Sequence, residues 1–331
     1  MSRRSRPAPT AGPGTRNVAL RGTDNRPPDV AIGPTAEILR RLELAVTRRL
    51  DGMLQGDYRG LVPGHGSELG ETRQYRAGDD VRRIDWNVTA RMQDPHVRET
   101  IADRELETWA LVDLTASLGF GTADCEKRDL AVAAVAALGF LTQRTGNRMG
   151  AITLEGHGAT TIPARTGRAN MQALLHRVVT AAREPEPGSA DLATGVRRQG
   201  ATMQRRGLAV VVSDFLSAPG WELPLRGLAT RHETLAIEIV DPRELELPDM
   251  GVIDFVDPES GAVFEVQSSD RHVRDRFAEA ATEQRAAIAA SIRRAGADHL
   301  VLRTDHDWLL DLVRFVAWRR ERVDALARVR P

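Results

Sequence analysis

The 331-residue sequence is short of three things: cysteine, lysine and long apolar runs. Cys125 is the only cysteine. That excludes an intrachain disulfide framework and a thiolate-built metal site, and it fits a reducing compartment. An excess of either charge is missing too, because Lys+Arg and Asp+Glu both number 46. Such a balance argues against a dedicated nucleic-acid binder, whose surface should be clearly basic. It argues equally against a polybasic membrane anchor. The longest clean apolar stretch, Leu130 to Leu141, is about 12 residues, short of the roughly 20 that span a bilayer as a helix. The opening Met1-Ser2-Arg3-Arg4-Ser5-Arg6 has the arginines of an export signal, but no apolar segment follows. The expected location is the cytoplasm.

Lysine is the least expected shortage. Lys127 stands alone, and every other cation of the Lys+Arg class is arginine. Codon bias accounts for this simply, and arginine also gives a surface more carboxylate-matching forks. The single lysine either answers a local need for a flexible ammonium or is chance.

What is present reads as a large α/β protein. At roughly 100–200 residues per domain, the length suits one large domain or two modest ones, and a 41% hydrophobic content supplies a core. Residues 1–34 are rich in Pro, Gly, Arg and Thr without apolar periodicity, which predicts a disordered arm. Thr35 is positioned to cap a helix running to about Leu50. From Gly52 to Pro95 the chain is polar and Gly-rich, an excursion whose Tyr75, Ile84 and Trp86 favour ordered packing.

Beyond it, buried-type strands at Thr108–Asp113, Arg148–Leu154, Gly207–Asp214, Thr234–Val240 and His299–Arg303 alternate with helical patterns. Those helices lie at Lys127–Arg144, Asn170–Arg183, Asp191–Arg198, Arg271–Ala295 and Trp308–Ala327. A hairpin insertion is expected at about 252–266. The pattern predicts a doubly wound, mostly parallel sheet. The division expected is an arm (1–34), an N-terminal helix with a long signature loop (35–105), and an α/β domain (106–331).

In such a sheet, ligands bind beyond the carboxyl ends of the strands. One strand there runs into Asp113-Leu114-Thr115-Ala116-Ser117, and another delivers Ser213-Asp214. One carboxylate and two hydroxyls aimed at a point suit a hard cation such as Mg²⁺ that keeps waters and an open position. The plainer reading is that Asp113 and Thr115 cap the following helix.

The Asp-x-Thr-x-Ser and Ser-Asp elements resemble the metal-ion-dependent adhesion site of von Willebrand factor A domains. Upstream, Gly78-Asp79-Asp80-Val81-Arg82-Arg83-Ile84-Asp85-Trp86 followed by Thr89-Ala90-Arg91 resembles the signature of the domain of unknown function 58 family. Arg98-Glu99, Arg104 to Glu107 and Lys127-Arg128-Asp129 match that family too, so the resemblance covers roughly residues 35–325. It implies a von Willebrand A-like domain and a non-enzymatic role beside a MoxR-type AAA+ ATPase, in chaperone-like assembly or maturation of client proteins. It also implies a Thr in the loop between the two strands. Here that stretch is Gly188-Ser189-Ala190-Asp191-Leu192, with Ala190 in the Thr position and Ser189 able to substitute only if the loop shifts.

Two readings remain open for the signature loop. Asp79, Asp80, Arg82, Arg83, Asp85 and Arg91 form an internal ion-pair network with Trp86 as its apolar plug, or they form a partner-docking surface. His65 and His157, each in Gly-His-Gly, read as surface turns. Cys125, beside a helix start and a cation, is either a reactive thiol or incidental. Gly119-Phe120-Gly121 has Asp124 where a third glycine would stand, and no P-loop occurs, so no nucleotide is expected. The alternative functions are a Mg²⁺-dependent hydrolase of phosphorylated substrates, which would need a general base such as His157, and a metal-free structural scaffold.

Overall fold

The computed structural model describes residues 26–54, 72–75, 84–92, 94–98, 107–144, 146–156, 158–183, 190–256 and 263–329. Its centre is a six-stranded sheet. Helix α1 (Thr35–Leu54) comes first, followed by strand β1 (Thr72–Gln74), helix α2 (Trp86–Met92) and strand β2 (His96–Arg98). The α/β region then runs β3 (Glu107–Asp113), α3 (Lys127–Arg144), β4 (Arg148–Glu155), β5 (Gly158–Arg165), α4 (Arg168–Arg183) and α5 (Leu192–Thr202). It continues through β6 (Gly207–Ser213), α6 (Glu222–Ala229), β7 (Glu233–Val240), the hairpin β8 (Val252–Val256) and β9 (Val263–Gln267), α7 (Arg271–Ala295), β10 (Asp298–Arg303) and α8 (Trp308–Val329).

The strand order is β10-β7-β6-β3-β4-β5, with every pairing parallel except the edge strand β5. All seven residues of β3 and of β6 are buried, as continuous apolar runs require when helices cover both faces. Alternate residues serve opposite cores. Ala110 and Val112 face a layer built with α1, α3, α4 and α8, whereas Trp109 and Leu111 face one built with α5, α6 and α7. Helix α3 is apolar nearly all round and buried from Leu130 to Leu141. Truncating one of its buried leucines to Ala would cost about 2–5 kcal/mol. Gly139 lets α3 approach α4, since a Cβ there would stand 2.6 Å from the Met171 sulfur.

Several boundaries differ from expectation. Residues 26–34, expected to belong to a disordered arm over 1–34, are docked. Val30 is buried, its amide donates to Asp129 at 2.8 Å, and Arg183 donates to the Val30 and Gly33 carbonyls. Residues 1–25 of that arm lie outside the described residues. Thr35 is the first residue of α1 and its hydroxyl accepts from Arg183 at 3.0 Å. Helix α1 does not open a separate module. Ile38, Leu42 and Val46 join the α3 layer of the main core. The short β2 pairs antiparallel with β1 outside the main sheet. Helices α2 and α6 carry no clear sequence signal; both are under nine residues, too short for periodicity to stand out.

Candidate functional site

The chain leaves β3 to build β4 and β5 on one side, then returns to place β6 on the other side of β3. The carboxyl ends of β3 and β6 are therefore the topological switch point, where a crevice opens in sheets of this kind. Asp113 ends β3, and Ser213 ends β6 with Asp214 next. Sequence order thus brings together the two motifs that are 100 residues apart.

The carboxylate of Asp113 accepts from all sides. Its Oδ1 takes the Thr115 amide (3.1 Å) and the Thr115 hydroxyl (2.6 Å), and its Oδ2 takes the Ser213 hydroxyl (2.7 Å). Thr115 Oγ1 also lies 3.3 Å from the half-buried Ser117 hydroxyl. Asp113, Thr115, Ser117 and Ser213 are therefore one connected polar group. Burial pushes the Asp113 carboxyl up to about 6, helped by the negative charge of Asp214 and opposed by the three hydrogen bonds.

Asp214 turns away from that group. The chain passes through a left-handed conformation at Phe215 (φ 57°), which is unfavourable for a bulky residue and is held by burial against Trp221, ring centroids 5.1 Å apart. In this turn the Phe215 amide donates to Ser213 Oγ (3.1 Å) and the Leu216 amide to Asp214 Oδ1 (3.0 Å). Asp214 Oδ2 accepts from the ammonium of Lys127 at 2.9 Å. That ammonium, only 1% exposed, also donates to Glu244 Oε1 at 2.5 Å and sits 5.9 Å from the centroid of the Phe120 ring. Burial alone would lower the Lys127 pKa, but the charges of Asp214 and Glu244 outweigh it and hold it above the usual lysine value.

Glu244 belongs to a short 3-10 turn after β7 and shares its second oxygen with Arg285 of α7 (2.7 Å). Arg285 also meets Glu238 (2.8 Å) and the Asp214 carbonyl (3.1 Å), and His299 of β10 meets Glu238 at 2.7 Å. The switch point is thus the end of a buried ionic chain that runs across β6, β7 and β10. Glu238, Glu244 and Arg285 give no signal in the sequence. The lone lysine is the one available hint.

Mg²⁺ needs about six oxygens at 2.0–2.1 Å in near-ideal octahedral geometry. Here each carboxylate oxygen of Asp113 and Asp214 already accepts from a protein donor, and an ammonium already neutralises Asp214 at 2.9 Å. Ala190 is half-buried and carries no hydroxyl. Among the described residues, no group of three or more His, Cys, Asp or Glu is arranged to hold a metal ion. This donor set does not fit Mg²⁺. Ser189 lies outside the described residues.

The signature loop divides. Asp79, Asp80, Arg82 and Arg83 lie outside the described residues, as do His65 and His157. Asp85 starts α2, accepting from the amides of Asn87 (3.1 Å) and Val88 (3.3 Å), while its own amide donates to the His96 carbonyl (2.8 Å). Arg91 is exposed on the last turn of α2. Trp86 is not an apolar plug. It is 70% exposed, on a helix with no buried residue. Cys125 is buried 3.9 Å from the Thr304 carbonyl, and burial pushes its thiol up to about 12, so the reactive-thiol reading does not hold. No helix among the described residues is long and apolar enough to cross a membrane.

Residues 71–287 match the family described as "Protein of unknown function DUF58". An uncharacterized protein of Mycobacterium tuberculosis is 55% identical over 285 residues, which is 86% of this chain and 90% of that protein. One of Mycobacterium avium is 47% identical over 161 residues, covering 49% of this chain and 95% of that protein. Among solved structures, the conserved hypothetical protein BatB from Bacteroides thetaiotaomicron is similar at a TM-score of 0.43 and 11% identity, over 65% of this chain and 99% of that one. A von Willebrand factor type A protein from Catenulispora acidiphila is similar at a TM-score of 0.31 and 13% identity, over 55% and 43%. The strand order and switch point, rather than these distant likenesses, define the α/β fold.

Proposed function

The chain belongs to the DUF58 family of proteins of unknown function, and from that premise we propose that it is a non-enzymatic protein-interaction module. Its strand-end face at the β3/β6 switch point docks a partner protein. A MoxR-type AAA+ ATPase is the partner, in chaperone-like assembly or maturation of client proteins. The module works in the cytoplasm, where ATP is at hand and a single thiol stays reduced.

The observation that carries this reading is the joining of the two strand ends by the 2.7 Å bond from Ser213 to Asp113. A buried, fully hydrogen-bonded floor fixes the loops above it, and a rigid site loses little entropy on binding. Ser117 is half-buried on that floor, and the Phe120 ring stands 40% exposed at its rim. An exposed aromatic at the edge of a polar floor supports the protein-contact reading.

The test is copurification with the MoxR-type ATPase from the same cells. Phe120→Ala should reduce the captured ATPase at least roughly tenfold, the usual effect of losing an aromatic anchor, with folding preserved by circular dichroism. Unchanged capture would remove the strand-end face from the interaction.

A further inference from the structure

Proteins with an Asp-x-Thr-x-Ser strand end are expected to complete the site with a divalent metal, and the side chains here disagree with that expectation. We infer that the ammonium of Lys127 is the built-in cation of this site, so that the switch point is charge-balanced by its own chain and takes no divalent ion.

Position is the first argument. Lys127 is the first residue of α3, and its amide donates to the Phe120 carbonyl at 2.8 Å, which fixes the loop between β3 and α3. From there the side chain reaches across the crevice to Asp214, 87 residues away, and to Glu244, 117 residues away. These acids come from the ends of two different strands, β6 and β7. A single ammonium therefore joins three segments at the switch point, which is what a metal does where one is present.

Donor count is the second argument. The oxygens of Asp113, Asp214 and Glu244 all accept from the protein: from Thr115, Ser213, Leu216, Lys127 and Arg285. A metal at Asp214 would have to expel the ammonium from between two carboxylates while Glu244 stayed bound to Arg285. A divalent ion beside the ammonium at Asp214 would add a second, doubled positive charge at short range in a buried site, which is strongly unfavourable. The Phe120 ring closes the remaining side of the ammonium by a cation–π contact.

The inference does not depend on the partner, and it survives if no ATPase is captured. Because the chain has one lysine, lysine labelled with ¹⁵N at the side chain gives one ammonium resonance that reports on this site alone. In the full chain that resonance should exchange slowly with water and stay unmoved through a titration with millimolar MgCl₂. A saturable shift or loss of the signal with Mg²⁺, abolished by Asp113→Asn, would overturn the inference. Stability gives an independent readout. Lys127→Met should lower the folding equilibrium constant by about 100-fold or more, the cost of stripping a buried carboxylate of its partner. Adding Asp214→Asn should recover part of that loss. A double variant no better than the single one would mean that the ammonium is not the charge partner. If Lys127→Met does not fold, the magnesium titration of the unmodified protein decides alone.

Discussion

Asp113→Asn should stabilise the protein relative to its parent as pH rises, and the size of the effect follows from the site. The Asp113 carboxyl is pushed from its ordinary 3.8 up to about 6, first by burial and then by the charge of Asp214. A rise of about two pH units corresponds to roughly 3 kcal/mol. Its sign is fixed by which state holds the proton. Between about pH 4 and pH 6 the folded protein keeps a proton that the unfolded chain has released, so stability falls as pH increases through that window. Below it the contribution is intact, and by pH 7 it is lost. Asparagine does not titrate. Its carbonyl can keep both Thr115 donors, while its amide faces the Ser213 hydroxyl, which must turn from donor to acceptor. That exchange costs about 1 kcal/mol at every pH, so the pH dependence of the difference, not its absolute value, is diagnostic. The stability of the Asp113→Asn variant minus that of the parent should rise by ~3 kcal/mol from pH 4 to pH 7, measured by urea unfolding of both proteins in matched buffers. Asp129, likewise pushed up to about 6 by burial, titrates in both and cancels. A difference that is flat with pH, or that moves toward the parent, would refute the account of Asp113 as a desolvated carboxylate.

Two further substitutions separate local structure from surface. Asp85→Ala should lower stability by about 1 kcal/mol, since it removes the acceptor for two amides at the start of α2. Trp86→Ala, at a side chain 70% exposed, should stay within about 0.5 kcal/mol in the same urea titration. Equal losses from both would restore the buried-plug view of Trp86. Arg183→Ala should free residues 26–34 from α4, because Arg183 holds Val30, Gly33 and Thr35. Limited thermolysin digestion should then cut before Val30 and Ile32 faster than in the parent, and an unchanged cutting rate would show that the Val30–Asp129 bond holds the segment without Arg183.

Most of the fold is legible because it is periodic. Fully apolar runs such as Leu208 to Val212 announce strands buried on both faces, and the 18-residue α3 is too apolar to lie anywhere but between layers. The switch point is legible for the same reason, as polar residues follow such runs directly. What the sequence hides depends on distant partners. Residues 26–34 look disordered by composition, yet one buried valine, one buried aspartate and one arginine fork dock them. Trp86 looks like core by residue type, yet α2 is a single exposed two-turn helix with no buried residue. Asp214 can be placed at the strand-end edge from its strand alone, but its partner cannot, because Lys127 lies 87 residues before it and reaches also to Glu244, 117 residues from that lysine.

The lone lysine has neighbours that suit a compact ammonium. Glu244 divides its two oxygens between two cations of different shape: Oε1 goes to the ammonium of Lys127 and Oε2 to the guanidinium of Arg285. Arg285 stands where a planar fork fits, spanning Glu238, Glu244 and the Asp214 carbonyl. Lys127 stands where it does not. Its charge must sit as a compact point between carboxylates from two strand ends, at 2.9 and 2.5 Å, under an aromatic ring and almost without exposure to water. A guanidinium at that position is larger and planar, and would have to be accommodated between the two carboxylates and the Phe120 ring. An arginine in place of a lysine has no such cost where the head group lies in water. An arginine at position 127 would have to remake a buried three-way contact, and there the shape of the charge matters.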